Sequence, residues 1–109
     1  MSAPLTLAQL NDRFRRSLSG GEVFVTSGVT ALPPAVQAEL IGRVQRFDQF
    51  TEDNDPYGEH DFGSLDHPQA GRVFWKIDYY DPSKCYGSED PLDDAKTCRV
   101  LTVMLAHEY

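Results

Sequence analysis

The chain has 109 residues, the size of one domain, and a chain this long buries roughly 65% of its unfolded surface, enough for a core without a disulfide or metal staple. Hydrophobic residues at 40% and charged residues at 25% exclude global disorder, and no apolar run is long enough for a membrane span. Seventeen Asp+Glu against ten Lys+Arg give a net charge of −7, which disfavours direct binding to a phosphate backbone.

The opening MSAPLTLAQLNDRFRR lacks the basic-then-apolar order of a signal peptide. Cys85 and Cys98 have no zinc-type spacing, so the expectation is two reduced thiols in a cytoplasmic protein. Residues Leu5 to Leu18 predict a first helix, with Leu7, Leu10, Phe14 and Leu18 on one face. Asp12, Arg13, Arg15 and Arg16 fall mostly on the other, as a solvated face. Gly20-Gly21 follows where a left-handed cap is expected.

Glu22 to Val29 is rich in β-branched residues and reads as a strand. Pro33-Pro34 suits a helix start, and Ala35 to Phe47 carries Val36, Leu40, Ile41 and Val44 in helical register, with Gly42 inside the pattern. From about Arg46 the period changes, and RFDQFT predicts a short strand running into the acidic turn Glu52 to Pro56. His60 to Leu65 predicts another strand. Gly71 to Tyr80 carries the clearest alternation, with Val73, Trp75, Ile77 and Tyr79 on one face and Phe74, Lys76, Asp78 and Tyr80 on the other. DHPQAG between them has hairpin length.

Pro82 to Asp90 reads as loop. Asp90-Pro91 then introduces a last helix, with Asp93 and Asp94 near its N-terminus and Ala95 to Ala106 buried across the sheet. The expected fold is α+β: one domain over residues 1–109, helices packed on a mostly antiparallel sheet of about four strands, with the C-terminal helix buried.

Charge is unevenly placed. Residues 1–47 carry five Lys/Arg and three Asp/Glu, whereas residues 48–109 carry five and fourteen. From Asp48 to Ala70 there are seven acids and no Lys or Arg, so the chemistry or the binding surface is expected here. Three readings compete. Asp53, Asp55 and Gly58 match positions one, three and six of an EF-hand loop, but Tyr57 stands at position five and Ser64 at position twelve, where a bidentate Glu is required.

The second reading is a metal-dependent hydrolase or nuclease in which Glu59, His60, Asp61 and Asp78 supply hard ligands, with Lys76 beside Asp78. Strand alternation opposes it, since His60 and Phe62 would face away from Asp61 and Gly63. No nucleophile has an evident base, and no glycine-rich phosphate loop is present.

The third reading is a binding surface. Pro56, Gly58 and Gly63 permit tight turns, Asn54 or Asp55 accepts local backbone hydrogen bonds, and Tyr57, Tyr79 and Tyr80 offer amphipathic contact area. This reading asks least of the residues. Its candidate contacts are Asp48, Glu52, Asp53, Asp55, Tyr57, Glu59, His60, Asp61, Asp78 and Tyr80, with no cofactor and no metal.

NDPYGEHDFG, then FWKIDYYD, GSEDP and the terminal RVLTVMLAHEY, preceded by LNDRFR and VFVTSGVTALP, resemble the bacterial family catalogued as domain of unknown function 3768. The likeness covers about Leu10 to Tyr109. It brings no activity and no catalytic residues. It implies a small proteobacterial protein of plasmids and other mobile elements, a setting in which acidic proteins inhibit host defence by anti-restriction or anti-CRISPR action. The expectation is a non-enzymatic binding module whose acidic surface meets a basic surface on a host protein or nucleoprotein complex, without direct nucleic-acid or membrane binding.

Overall fold

Four strands form one mixed sheet in the order β1-β4-β3-β2, in the computed structural model, which describes residues 5–109. They are β1 (Gly21–Val25), β2 (Phe62–His67), β3 (Gly71–Tyr80) and β4 (Cys98–Leu105). Three helices accompany them: α1 (Leu7–Ser17), the single turn α2 (Ser27–Thr30) and α3 (Pro34–Gln45). The fold is α+β. Strands β2, β3 and β4 pair antiparallel, and β1 joins β4 in parallel.

The α1 helix begins with a capping box in which Thr6 accepts from the Gln9 N–H and the Gln9 side chain accepts from the Thr6 N–H. It ends on Leu18, which takes the left-handed conformation itself at φ 57°, two residues before the glycines expected to do so. Strand β1 stops at Val25, shorter than predicted, because Thr26-Ser27-Gly28 turns into α2. That turn is fastened by Glu108, whose carboxylate accepts from Thr26 Oγ1 at 2.6 Å, Gly28 N at 2.9 Å and Leu105 N at 2.9 Å.

The helices cover one face of the sheet. Phe14, Val36, Leu40 and Val44 meet Leu65, Val73, Trp75, Ile77, Leu101 and Val103 in a single apolar core. Trp75 is fully buried, and the chain passes it at Gly63, its partner on β2. A Cβ at Gly63 would lie 2.5 Å from Trp75 Nε1, so only glycine fits.

Two expected elements are replaced. Ala95 to Ala106 is not a buried C-terminal helix: residues 98–105 are β4, a central strand, preceded by a 3-10 turn at Asp94–Lys96. The acids read as a helix start do other work, with Asp93 accepting from Ala95 N and Asp94 pairing with Arg99 at 2.7 Å. Nor is RFDQFT a strand. Helix α3 ends at Gln45, and residues 47–61 lie outside any helix or strand. Strand β2 starts at Phe62, two residues after its expected start.

Candidate functional site

Residues 46–61 leave α3 and return to β2 as one irregular but heavily bonded loop. Its first half is anchored by aromatic rings. Phe47 packs edge-on to Trp75 with ring centres 5.4 Å apart, and Phe50 does so at 6.1 Å. Two ring anchors three residues apart produce the break in helical period that resembles a strand. Beyond them, Thr51 N donates to Asn54 Oδ1 at 2.8 Å, Asn54 Nδ2 reaches back to the Gln49 carbonyl at 2.8 Å, and Asp55 N donates to the Thr51 carbonyl.

Asp55 closes the loop from inside. Its carboxylate accepts from Glu59 N at 3.1 Å and His60 N at 3.2 Å, spanning Gly58 with its φ of 65°. His60 also has a positive φ, 55°, which costs a non-glycine residue strain. Its ring offsets that cost. It stacks on Phe50 with centres 3.8 Å apart and planes 3° from parallel, and Nδ1 lies 3.0 Å from both carboxylate oxygens of Asp12 on α1. Nε2 faces Asp55 at 3.6 Å, so both ring nitrogens are directed at carboxylates of the protein itself.

Beneath the loop lies Arg15, whose side chain is fully buried. Its guanidinium donates to the Val44 carbonyl at 2.9 Å, the Gln45 carbonyl at 3.1 Å and Asp12 at 2.8 Å. It also sits over the rings of Phe50 and Trp75, 5.5 and 5.2 Å from their centres. Arg15 thus closes the last turn of α3 and supports the loop together. Burial lowers its pKa, and the Asp12 hydrogen bond and charge oppose that.

The second half of the loop meets β3. Tyr79 donates to Glu59 at 3.3 Å and accepts from Asn11 Nδ2 at 2.7 Å, while Asn11 also donates to the Glu59 carbonyl. Asn11 Oδ1 in turn accepts from Arg99, which is held by Asp94 and the Pro91 carbonyl. The Asp61 carboxyl is pushed up to about 6, by burial first and then by Glu59 beside it. Burial likewise raises the Tyr79 hydroxyl, which stays protonated. Burial and the neighbouring Glu59 thus favour the protonated form of Asp61 more than in an ordinary carboxyl.

The expected contact residues therefore separate into three groups. Asp48, Glu52, Asp53 and Tyr57 are exposed, Tyr57 at 87%. Asp55, His60, Glu59 and Asp61 are turned toward the loop's own framework. Asp78 and Tyr80 belong elsewhere: they occupy the sheet face opposite Tyr79, where Asp78 pairs with Lys76 at 2.9 Å. Glu59, His60, Asp61 and Asp78 do not converge, and among the described residues no group of three or more His, Cys, Asp or Glu could hold a metal ion.

Sequence reasoning missed Asn11, Asp12 and Arg15, which it assigned in part to a solvated face. Asn11 and Arg15 are fully buried and stand four apart, directly beside Leu10 and Phe14. That spacing was the available signal: a polar pair widening an apolar stripe.

The model of the family described as Protein of unknown function (DUF3768) matches residues 25–108. The chain belongs to this family. The DUF3768 match runs from the end of β1 to Glu108, so it takes in both halves of the Thr26–Gly28–Glu108 fastening and the whole loop. Helix α1 lies outside it, although Asn11, Asp12 and Arg15 bind the loop's inner side. No curated protein and no solved structure matches the chain. No helix among the described residues is long and apolar enough to cross a membrane.

Proposed function

We propose that this DUF3768 protein is a non-enzymatic binding module that presents the tip of the 46–61 loop to a basic protein surface. One observation carries the reading: Glu52, Asp53 and Tyr57 stand exposed on a loop whose shape is fixed from within by Asn54, Asp55 and His60. A preformed loop lowers the ordering cost of association, and an exposed tyrosine beside carboxylates suits a mixed polar and aromatic contact. Asp48, at the start of the loop, is exposed as well but lines a groove with Arg43 and Arg46. The mobile-element setting that the resemblance implies would make the module an inhibitor of host defence, anti-restriction or anti-CRISPR, working in the cytoplasm on a basic host protein or nucleoprotein complex.

The metal-dependent hydrolase gathers no support from the separated positions of Glu59, His60, Asp61 and Asp78. The binding reading is tested by capturing partners from a host lysate and measuring association with each at rising salt. Glu52→Lys with Asp53→Lys should slow association about tenfold or more at low salt, because charge complementarity acts chiefly on the encounter rate. The same double variant should melt within about 0.5 kcal/mol of the parent, as exposed substitutions do. Unchanged association by a normally folded double variant would remove the loop tip from the interface.

A further inference from the structure

The free edge of β2 faces a groove that the acidic loop does not fill. Ile77 N donates to the Asp61 carbonyl, and antiparallel strands alternate, so Gly63, Leu65 and His67 also point their backbone groups at β3. Phe62, Ser64 and Asp66 therefore direct theirs outward. Among the described residues, the one partner these outward groups find is Arg43, which donates to the Asp66 carbonyl at 2.6 Å. A row of unmet donors and acceptors is a template for one more strand.

Beside this edge the end of α3 and the start of the loop form the opposite wall of a groove of about 680 Å³, with Arg43, Arg46, Phe47 and Asp48 facing Ser64 to Asp66. Arg43 and Arg46 form no ion pair among the described residues, whose arginine pairs involve Arg13, Arg15, Arg72 and Arg99. The Asp66 carboxylate lies on the other sheet face with Arg72, so the wall sets two arginines against the single carboxylate of Asp48. That other face carries Phe62 packed on Phe74 and Tyr109, with ring centres 5.4 and 5.7 Å away.

We propose that the β2 edge binds an extended segment of a partner protein in which apolar and acidic residues alternate, adding it to the sheet as a fifth strand. A strand laid there shows successive side chains to opposite faces. One set meets Arg43 and Arg46 in the groove, and the alternate set extends the aromatic cluster around Phe62. Backbone pairing supplies the attachment and the two faces supply the choice. A second copy of this chain fits less well: pairing β2 with itself would bring two α3 ends, each with Arg43 and Arg46, toward one another. The surface is separate from the loop tip and does not depend on it.

The test uses the full chain and two synthetic probes, an eight-residue capped peptide alternating valine with glutamate and its valine–lysine counterpart. Amide hydrogen exchange is read residue by residue. The glutamate peptide should slow exchange at Phe62, Ser64 and Asp66 while leaving Gly63 and Leu65, already bonded to β3, unchanged. The lysine peptide should bind about tenfold more weakly, a difference of about 1.4 kcal/mol. Ser64→Pro removes a donor at an edge position that tolerates proline, and it should abolish binding; Arg46→Glu, on an exposed side chain, should invert the preference even if the proline variant fails to fold. Binding without the alternate-residue pattern, or an unchanged preference in Arg46→Glu, would overturn the proposal. So would protection that appears without peptide and grows with protein concentration, which would identify a second copy as the occupant.

Discussion

Strands β3 and β4 hold one another through eight registered residue pairs, from Val73 with Leu105 to Tyr80 with Cys98, over a buried row of Trp75, Ile77, Leu101 and Val103. Residues 46–61 have no such ladder. Their order comes from single side chains: Phe50 and His60 stacked, Asp55 turned inward, Arg15 beneath. Order of the first kind is spread over many contacts and depends on apolar volume. Order of the second kind is concentrated in a few polar atoms, so one substitution can dissolve the loop while the sheet survives.

Substitutions in the strands should have the largest effect. Trp75→Ala should cost about 3–5 kcal/mol and Leu101→Ala about 2–5 kcal/mol, through lost burial and an unfilled cavity. Denaturant melts followed by both fluorescence and circular dichroism check this, and a cost below about 0.5 kcal/mol would take either residue out of the core.

Arg15→Ala tests whether the two regions share a support. It strips the cap from the Val44 and Gln45 carbonyls and leaves Asp12 facing only His60, so the expected cost is about 3 kcal/mol, in the range for removing one partner of a buried pair. A solvated-face arginine would cost almost nothing. The same melts distinguish the two.

Asp55→Ala should separate the regions. Its loss frees the Glu59 and His60 amides, for about 1–2 kcal/mol of local stability. Exchange at those two amides should accelerate while β3 and β4 amides keep their protection. Uniform loss of protection across the sheet would show that loop and sheet form one cooperative unit.

The smallest effect concerns pH. Asp61 has a folded pKa of about 6, above its ordinary 3.8. Between those values the folded chain holds a proton that the unfolded chain has released, so this group's stabilising contribution is present below about pH 4 and is lost as pH rises toward 6. Because the group is partly solvated, the swing should be about 1 kcal/mol rather than the full equivalent of the shift. Asp61→Asn should flatten that slope between pH 4 and 6. An unaltered slope would assign it to other carboxylates.

How much of this was legible in the sequence depended on whether a segment's neighbours lie on one side or two. Strand β3 shows water-facing and core-facing residues in alternation, and its range was readable to the residue. Strand β4 does not, because Val100 and Met104 on its outward side are nearly as buried as Leu101 and Val103 on its inward side. A continuous apolar run has the same appearance in a buried helix and a buried strand; the β-branched Val100, Thr102 and Val103 were the cue for a strand. The loop's acidity was visible, but its orientation was not. Asn54 and Asp55 were expected to take local backbone hydrogen bonds and both do, but that Asp55 bonds the Glu59 and His60 amides rather than a partner depends on the turn itself. Asp12 and His60 are 48 residues apart, and no local pattern links them.

The parallel pairing of β1 with β4 has a consequence for the order in which the protein can be made. Gly21 pairs with Arg99, and β4 stands between β1 and β3 although it is the last of the four strands in the chain. As the polypeptide leaves the ribosome, β1 emerges without its partner, and the β2–β3 hairpin emerges with its β3 edge bare in addition to the β2 edge that stays free. Neither β1 nor the β3 edge can be satisfied until β4 has cleared the exit tunnel. Folding must then close a long loop at once, which is slow, and the waiting edges invite pairing between nascent chains. The longer β4 is delayed, the longer β1 and the β3 edge stand open to such pairing.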